Sequence, residues 1–171
     1  MRRVRYSVAM SLDGYIAGPN GEYDWIVMDP EIDFAALMGS FDAMLMGRKT
    51  YEAARKMGGG PASRSMSVHV LSRTLRQEDC KGATVSDDAK GTVTKLKAAK
   101  GKDIWLFGGG GLFHSLLGLG LVDTVEVAII PVLLGGGIPL LPSPAERAKL
   151  TLAKHQMLKK TGTVALEYRV A

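Results

Sequence analysis

The run Ile104-Trp105-Leu106-Phe107 breaks into Gly108-Gly109-Gly110-Gly111 and resumes at Leu112-Phe113-His114. The residues before the glycines read as a short buried strand over 104–107. Those after them, apolar at helical spacing over 112–117, read as the opening of a helix packed on that strand. Glycine lets backbone N–H groups approach a ligand closely, and a helix N-terminus adds positive dipole. A strand–glycine–helix turn is therefore a candidate site for a phosphate or pyrophosphate. A tight connection explains the glycines equally well, so the rest of the chain must decide.

At 171 residues and 46% hydrophobic content the chain fits one domain, 1–171, with ample material for a core. No apolar run approaches the roughly 20 residues of a membrane span. Ser7, Ser11, Asp13 and Gly14 interrupt the stretch after Arg2, Arg3 and Arg5 before a secretory apolar region forms. A cytoplasmic protein with no membrane contact is expected. Cys80 is the only cysteine, which excludes an intramolecular disulfide and a cysteine zinc site. No histidine stands at metal-ligand spacing, so no metal is expected. The formal net charge is +5, but the basic residues are scattered without interleaved aromatics. Nucleic acid is not expected, and an anionic small ligand accounts for the charge as well.

In chain order, 4–10 alternates as a strand and 11–21 is a long loop closed by Tyr23, Asp24 and Trp25. Trp25 reads either as a core aromatic pinning that loop or as a ligand-facing ring. Asp29-Pro30-Glu31 is a helix-start signal, followed by an apolar face of Phe34, Leu37 and Met38. Glu31 and Asp33 then sit where the helix dipole favours carboxylates, which gives both a purely electrostatic reading. A strand at 43–46 turns through Gly47, Arg48, Lys49 and Thr50 into another helix, a second strand–glycine–helix plan with cations at the turn. Gly58-Gly59-Gly60-Pro61 reads as a loop, 67–71 as a strand ending in Ser72-Arg73, 83–85 as a small strand and 87–99 as an amphipathic helix. A long strand at 122–130 stops at Pro131, and 135–142 reads as a loop beside the ligand. Segments 150–158 and 164–170 form a hairpin around Thr161-Gly162. Strands alternating with helices and closing on a hairpin imply a mixed sheet covered on both faces.

Four motifs now stand in order: Met10-Ser11-Leu12-Asp13-Gly14-Tyr15-Ile16-Ala17, Met46-Gly47-Arg48-Lys49-Thr50-Tyr51-Glu52, Leu71-Ser72-Arg73 and Phe107-Gly108-Gly109-Gly110-Gly111-Leu112. In order and spacing they resemble the dihydrofolate reductase superfamily. Gly120-Leu121-Val122-Asp123 and Pro131-Val132-Leu133-Leu134-Gly135 are similar to its riboflavin-biosynthesis reductase branch, the RibD C-terminal domain. The resemblance implies an α/β fold of three layers, α/β/α, with a central mixed, mostly parallel sheet and a C-terminal antiparallel hairpin.

It also implies NADPH as cofactor. Phe107, Gly108, Gly109, Gly110, Gly111 and Leu112 would hold the pyrophosphate from one side, and Gly47, Arg48, Lys49 and Thr50 from the other. Leu71, Ser72 and Arg73 would flank the adenine ribose, with Arg73 favouring NADPH over NADH through its 2′-phosphate. Ala9, Ile16 and the loop to Gly21 would border the nicotinamide. Gly111 stands where relatives place a cation, so charge recognition falls on Arg48, Lys49 and Arg73.

For catalysis, Glu31 matches the carboxylate that binds the pterin ring in dihydrofolate reductases, with Asp33 as its neighbour. Asp13 and Trp25 are further candidates. Met66 replaces the arginine that grips the folate tail, although Arg64 is close by. The implied activity is a stand-alone reductase of the 5-amino-6-(5-phosphoribosylamino)uracil reductase type, acting on a small heterocycle. Dihydrofolate reduction and a non-catalytic dinucleotide-binding module are the alternatives. As relatives of this branch tend to dimerise, a homodimer is expected.

Overall fold

The structure, a computed structural model, describes residues 1–56 and 66–171. The loop expected at Gly58-Gly59-Gly60-Pro61, and Arg64, lie outside the described residues. The chain runs β1 (Val4–Ser11), β2 (Tyr15–Ala17), α1 (Phe34–Gly39), β3 (Phe41–Gly47), α2 (Arg48–Lys56), β4 (Ser67–Leu71) and β5 (Thr84–Ser86). It continues α3 (Ala89–Ala98), β6 (Asp103–Gly108), α4 (Gly110–Gly118), β7 (Thr124–Ile130), β8 (Ile138–Pro139), β9 (Leu150–Leu158) and β10 (Thr163–Val170). Eight strands share one sheet in the order β5-β4-β3-β6-β1-β7-β10-β9. Neighbours are parallel from β5 to β7 and antiparallel from β7 to β9. The expected mixed, mostly parallel sheet with a C-terminal antiparallel hairpin is therefore the observed one.

Alternation along the strands builds two cores. Val4, Tyr6, Leu45, Ile104, Leu106 and Val125 point to the face covered by α3 and α4, where they meet Val93, Phe113 and Leu116. Tyr6 stacks on Phe113 with ring centroids 4.0 Å apart. Phe41, Met44, Met46, Val68 and Val70 point to the other face, under Tyr51 of α2 and Leu37 and Met38 of α1. That second core lies over β3, β4 and β6. Over β1, β7, β10 and β9 the same face carries a cavity instead.

Several expected boundaries hold, among them 67–71 and 150–158, and the hairpin turns at Thr161 and Gly162, the latter with φ +71°. The helix expected at 87–99 begins at Ala89, because the Asp88 carboxylate accepts the Gly91 N–H at 2.8 Å.

The start of α1 needs correction. The helix begins at Phe34, and its cap is Asp33, whose carboxylate accepts the Ala36 N–H at 2.8 Å. Asp29, only 1% exposed, is committed elsewhere. It accepts the Thr161 hydroxyl at 2.6 Å, the Thr161 N–H at 3.1 Å and the Glu31 N–H at 2.8 Å. Glu31 therefore lies in a turn before α1 and outside its first turn. The 11–21 and 135–142 loops, expected to be irregular, also contain a short ladder: β2 pairs antiparallel with β8.

Candidate active site

The two glycine turns meet at one point of the sheet. β3 and β6 are adjacent and parallel, so their carboxyl ends lie side by side. From β3 the chain turns into α2 on one face, and from β6 it turns into α4 on the other. Such a divergence opens a crevice beyond the strand ends, which is where open α/β sheets bind ligands.

The walls of this crevice touch. A Cβ on Gly109 would lie 3.3 Å from the Thr50 hydroxyl, and one on Gly47 would lie 3.8 Å from the Leu112 Cβ. A Cβ on Gly111 would meet nothing within 4 Å. Gly108 has φ +128°, a region L side chains rarely adopt, and the Gly108–Gly109 peptide is cis. Gly110 serves packing, since its Cβ would lie 2.7 Å from the Pro139 carbonyl oxygen. No side chain caps the N-terminus of α4.

Cations rim the crevice. Arg48 and Glu52 pair at 3.2 Å on the exposed face of α2. Lys49 and Arg73 are exposed and have no ion-pair partner among the described residues. Ser72, at the end of β4, accepts the Thr74 N–H at 3.2 Å and the Leu75 N–H at 3.1 Å, forming the turn that presents Arg73. Phe107, 39% exposed, stands edge-on to Trp105 with centroids 4.9 Å apart. Backbone donors at two helix starts, two uncommitted cations and a neighbouring ring fit a dinucleotide's pyrophosphate and a ribose phosphate.

Beside the crevice, on the α1 face, is a cavity of about 680 Å³ whose floor is the sheet and whose roof is the segment from Ile26 to Met38. The strand registers arrange its floor in rows. Ala9, Ala128 and Ala165 are neighbours on β1, β7 and β10, with Gln156 of β9 completing the row. Three methyl groups side by side make a flat, apolar surface. The next row, about 7 Å along the strands, carries Ser7, Glu126, Glu167 and Lys154. Arg5 donates to both oxygens of Glu126, at 2.6 and 2.9 Å, and its guanidinium lies 4.6 Å from the centre of the Phe41 ring. The Glu126 hydrogen bonds raise the Arg5 pKa above its ordinary value. Trp105 lines the same cavity and donates its indole N–H to the Ser7 carbonyl at 3.1 Å.

Glu31 and Asp33 both reach this cavity from the roof. Asp33 is engaged as the α1 cap, whereas the Glu31 side chain has no hydrogen-bond partner among the described residues. Ala9 belongs to the alanine row. Ile16 lies on β2 and Gly21, with φ +89°, in the loop beyond it.

Asp13 and Trp25 stand apart from the cavity walls. The Asp13 carboxylate accepts the Ser11 hydroxyl at 2.6 Å, the Gly135 N–H at 2.7 Å and the Leu134 N–H at 3.1 Å, tying the loops after β1 and β7 together. These bonds, the Ser11 hydroxyl's first, hold its pKa below the usual carboxylate range. The Trp25 indole donates to the Glu22 carbonyl at 3.1 Å within its own loop.

Sequence reasoning missed Ala128, Ala165, Glu126, Glu167 and Lys154. The available signal was alternation within each strand; what placed them in rows was the pairing between strands.

A family model described as the RibD C-terminal domain matches residues 2–164. The chain belongs to the RibD C-terminal domain family. The protein YyaP of Bacillus subtilis is 34% identical over 178 residues, covering 98% of this chain and 94% of its own. A crystal structure of a putative riboflavin biosynthesis protein from Shewanella sp. PV-4 superposes with a TM-score of 0.82 at 27% identity. It covers 100% of this chain and 99% of that one. Dihydrofolate reductase from Enterococcus faecalis, complexed with NADP(H), superposes with a TM-score of 0.67 at 16% identity over 98% of this chain and 96% of that one. The fold of this RibD C-terminal domain is thus dihydrofolate reductase-like, and the crevice lies at the sheet's topological switch point. Among the described residues no helix is long and apolar enough to cross a membrane.

Proposed function

We propose that this RibD C-terminal domain is a cytoplasmic, NADPH-dependent reductase that transfers a hydride to a pyrimidine- or pteridine-like ring, in the manner of a 5-amino-6-(5-phosphoribosylamino)uracil reductase. One observation carries the proposal: the crevice between two glycine turns opens beside a cavity that holds a flat alanine floor and an uncommitted carboxylate. The N-termini of α2 and α4, with Arg48 and Lys49, hold the pyrophosphate, and Arg73 holds the 2′-phosphate. The nicotinamide supplies the hydride when bound.

The chain's own residues do the rest. Ala9, Ala128 and Ala165 support the substrate ring from below, while Ile32 and Phe34 close over it and exclude water. Glu31 accepts paired N–H bonds from an amino-substituted ring and orients it for transfer.

The folate reading has less support. Met66 is 8% exposed and packed in the core under α2, so it offers nothing to a folate carboxylate tail. Absorbance loss at the NADPH band tests both readings. Oxidation with a ribosylaminopyrimidine but not with dihydrofolate is expected. Turnover of dihydrofolate alone would reverse the choice, and NADPH binding without oxidation by a panel of heterocycles would leave a non-catalytic module.

A further inference from the structure

Resting on the reading of Glu31 as the carboxylate that orients the substrate ring, we propose that Asp29 is its positioning residue: it ties the cavity roof to the β9–β10 hairpin and so fixes where Glu31 stands. Residues 18–33 belong to no strand or helix, yet they carry Ile26, Glu31 and Ile32 over the cavity. Backbone hydrogen bonds such as Ile26 to Tyr23 and Ile32 to Asp29 close turns inside the segment. Local turns of this kind do not set the height of a loop above a sheet. Apolar packing holds the middle of the roof weakly, since Val27 and Met28 are 54% and 60% exposed.

Asp29 supplies a long-range tie. It is buried between exposed Met28 and exposed Pro30. A buried carboxylate persists only where donors surround it, and here they come from two sides. One oxygen accepts the Glu31 N–H at 2.8 Å, and the other accepts the Thr161 hydroxyl at 2.6 Å and the Thr161 N–H at 3.1 Å. The backbone of Glu31 is thus bound through one side chain to the turn between β9 and β10.

That turn leads directly into the cavity. The Thr161 hydroxyl lies 2.8 Å from that of Thr163, which is buried and lines the cavity. Thr163 stands on β10 two residues before Ala165 and shares its face. The tie therefore joins the roof to a strand that bears the alanine floor, and it sets the gap between Glu31 and a ring lying there. Placement of this kind is what a site residue on an irregular segment requires. Because both oxygens of Asp29 accept, an asparagine must turn its NH₂ toward a donor on one side or the other.

The test combines hydrogen exchange with a double-mutant cycle on the full-length protein. Amide exchange over residues 26–33, read without substrate, should quicken about tenfold in Asp29→Asn and in Thr161→Val, and should stay near the wild type in Thr161→Ser, which keeps the hydroxyl. With NADPH and a ribosylaminopyrimidine, the first two variants should each lower kcat about tenfold at unchanged NADPH Kd. In a Glu31→Gln background the same substitutions should change kcat less than about twofold, because the group they position is already gone; a merely structural loss would lower both backgrounds alike. Unchanged exchange in both variants, wild-type turnover in both, or equal losses in the two backgrounds would each overturn the inference. Failure of the underlying reading looks different: Glu31→Gln would then turn over like the wild type, and the positioning role would fall with it.

Discussion

Glu31 and Asp33 lie two residues apart and are engaged differently. Asp33 closes the first turn of α1 through the Ala36 N–H, while the Glu31 side chain stands uncommitted at the cavity roof. On the proposed function, Glu31→Gln should lower kcat by about 10²-fold or more and leave the NADPH Kd unchanged. Asp33→Ala should act chiefly on stability, by about 0.5–2 kcal/mol, the usual magnitude for a lost cap. Steady-state kinetics and thermal melts of the two variants separate these roles. A wild-type rate in Glu31→Gln would return that carboxylate to local electrostatics.

Asp29 gives the pH dependence. The Thr161 hydroxyl, followed by the backbone N–H groups of Glu31 and Thr161, holds its pKa below the ordinary carboxylate range. A group whose folded pKa is depressed adds stability that is fully present above its unfolded pKa, about 3.9. That stability is lost as pH falls through the folded value. The melting temperature of the wild type should therefore fall below about pH 4 more steeply than that of Asp29→Asn. Parallel acid limbs would assign the acid loss to other carboxylates.

At the scale of elements, the four glycines have separate reasons to be glycine. A Cβ at Gly110 would press on the Pro139 and Leu140 carbonyl oxygens, which belong to backbone and cannot swing away. Gly110→Ala should therefore destabilise by about 1–3 kcal/mol. Gly111 faces open space in the first turn of α4, where an acidic side chain is favoured by the helix dipole. Gly111→Asp should keep the melting temperature near that of the wild type and weaken NADPH more than about tenfold, because it places a negative charge at the phosphate position. Equal NADPH affinity in that variant would move the pyrophosphate off this turn.

The glycine turns were legible before the structure because each is local: strand, glycines and helix follow one another within about a dozen residues. The strands of the closing hairpin were legible for the same reason. The helix start at Asp29 was misread because its decisive partner, Thr161, is 132 residues away, and a tertiary hydrogen bond overrode a cap signal. The β2–β8 ladder escaped because neither segment alternates long enough to read as a strand. The alanine floor was hidden more deeply. Ala9, Ala128 and Ala165 are unremarkable in their own strands and become a surface only once two registers, β1 with β7 and β7 with β10, are known.

At the scale of the whole molecule, one sheet serves two neighbouring sites. Its strand order brings β3 and β6 together to make the crevice, and leaves the α1 face of β1, β7, β10 and β9 roofed at a distance by the segment from Ile26 to Met38, which makes the cavity. β9 closes the sheet as an edge strand. Its Leu150, Leu152 and Met157 are 43%, 50% and 64% exposed and lie on the face that continues the core under α4. Exposed apolar edge strands invite pairing unless covered. We propose that a second copy of the chain covers this one. Light scattering should give twice the chain mass, and Leu152→Lys should shift it toward the monomer. A wild-type monomer would remove the proposal.

On the proposed function, the crevice between the two glycine turns is a dinucleotide site beside the cavity. Trp105 lines that cavity and touches Phe107 at the crevice edge, so its fluorescence reports on both. Titration of the protein with NADPH, and separately with NADH, is the most direct test. Saturable quenching by NADPH with a Kd on the order of micromolar, and at least about tenfold weaker binding of NADH, is the expected result. No saturable response to NADPH at high micromolar concentration would contradict the account.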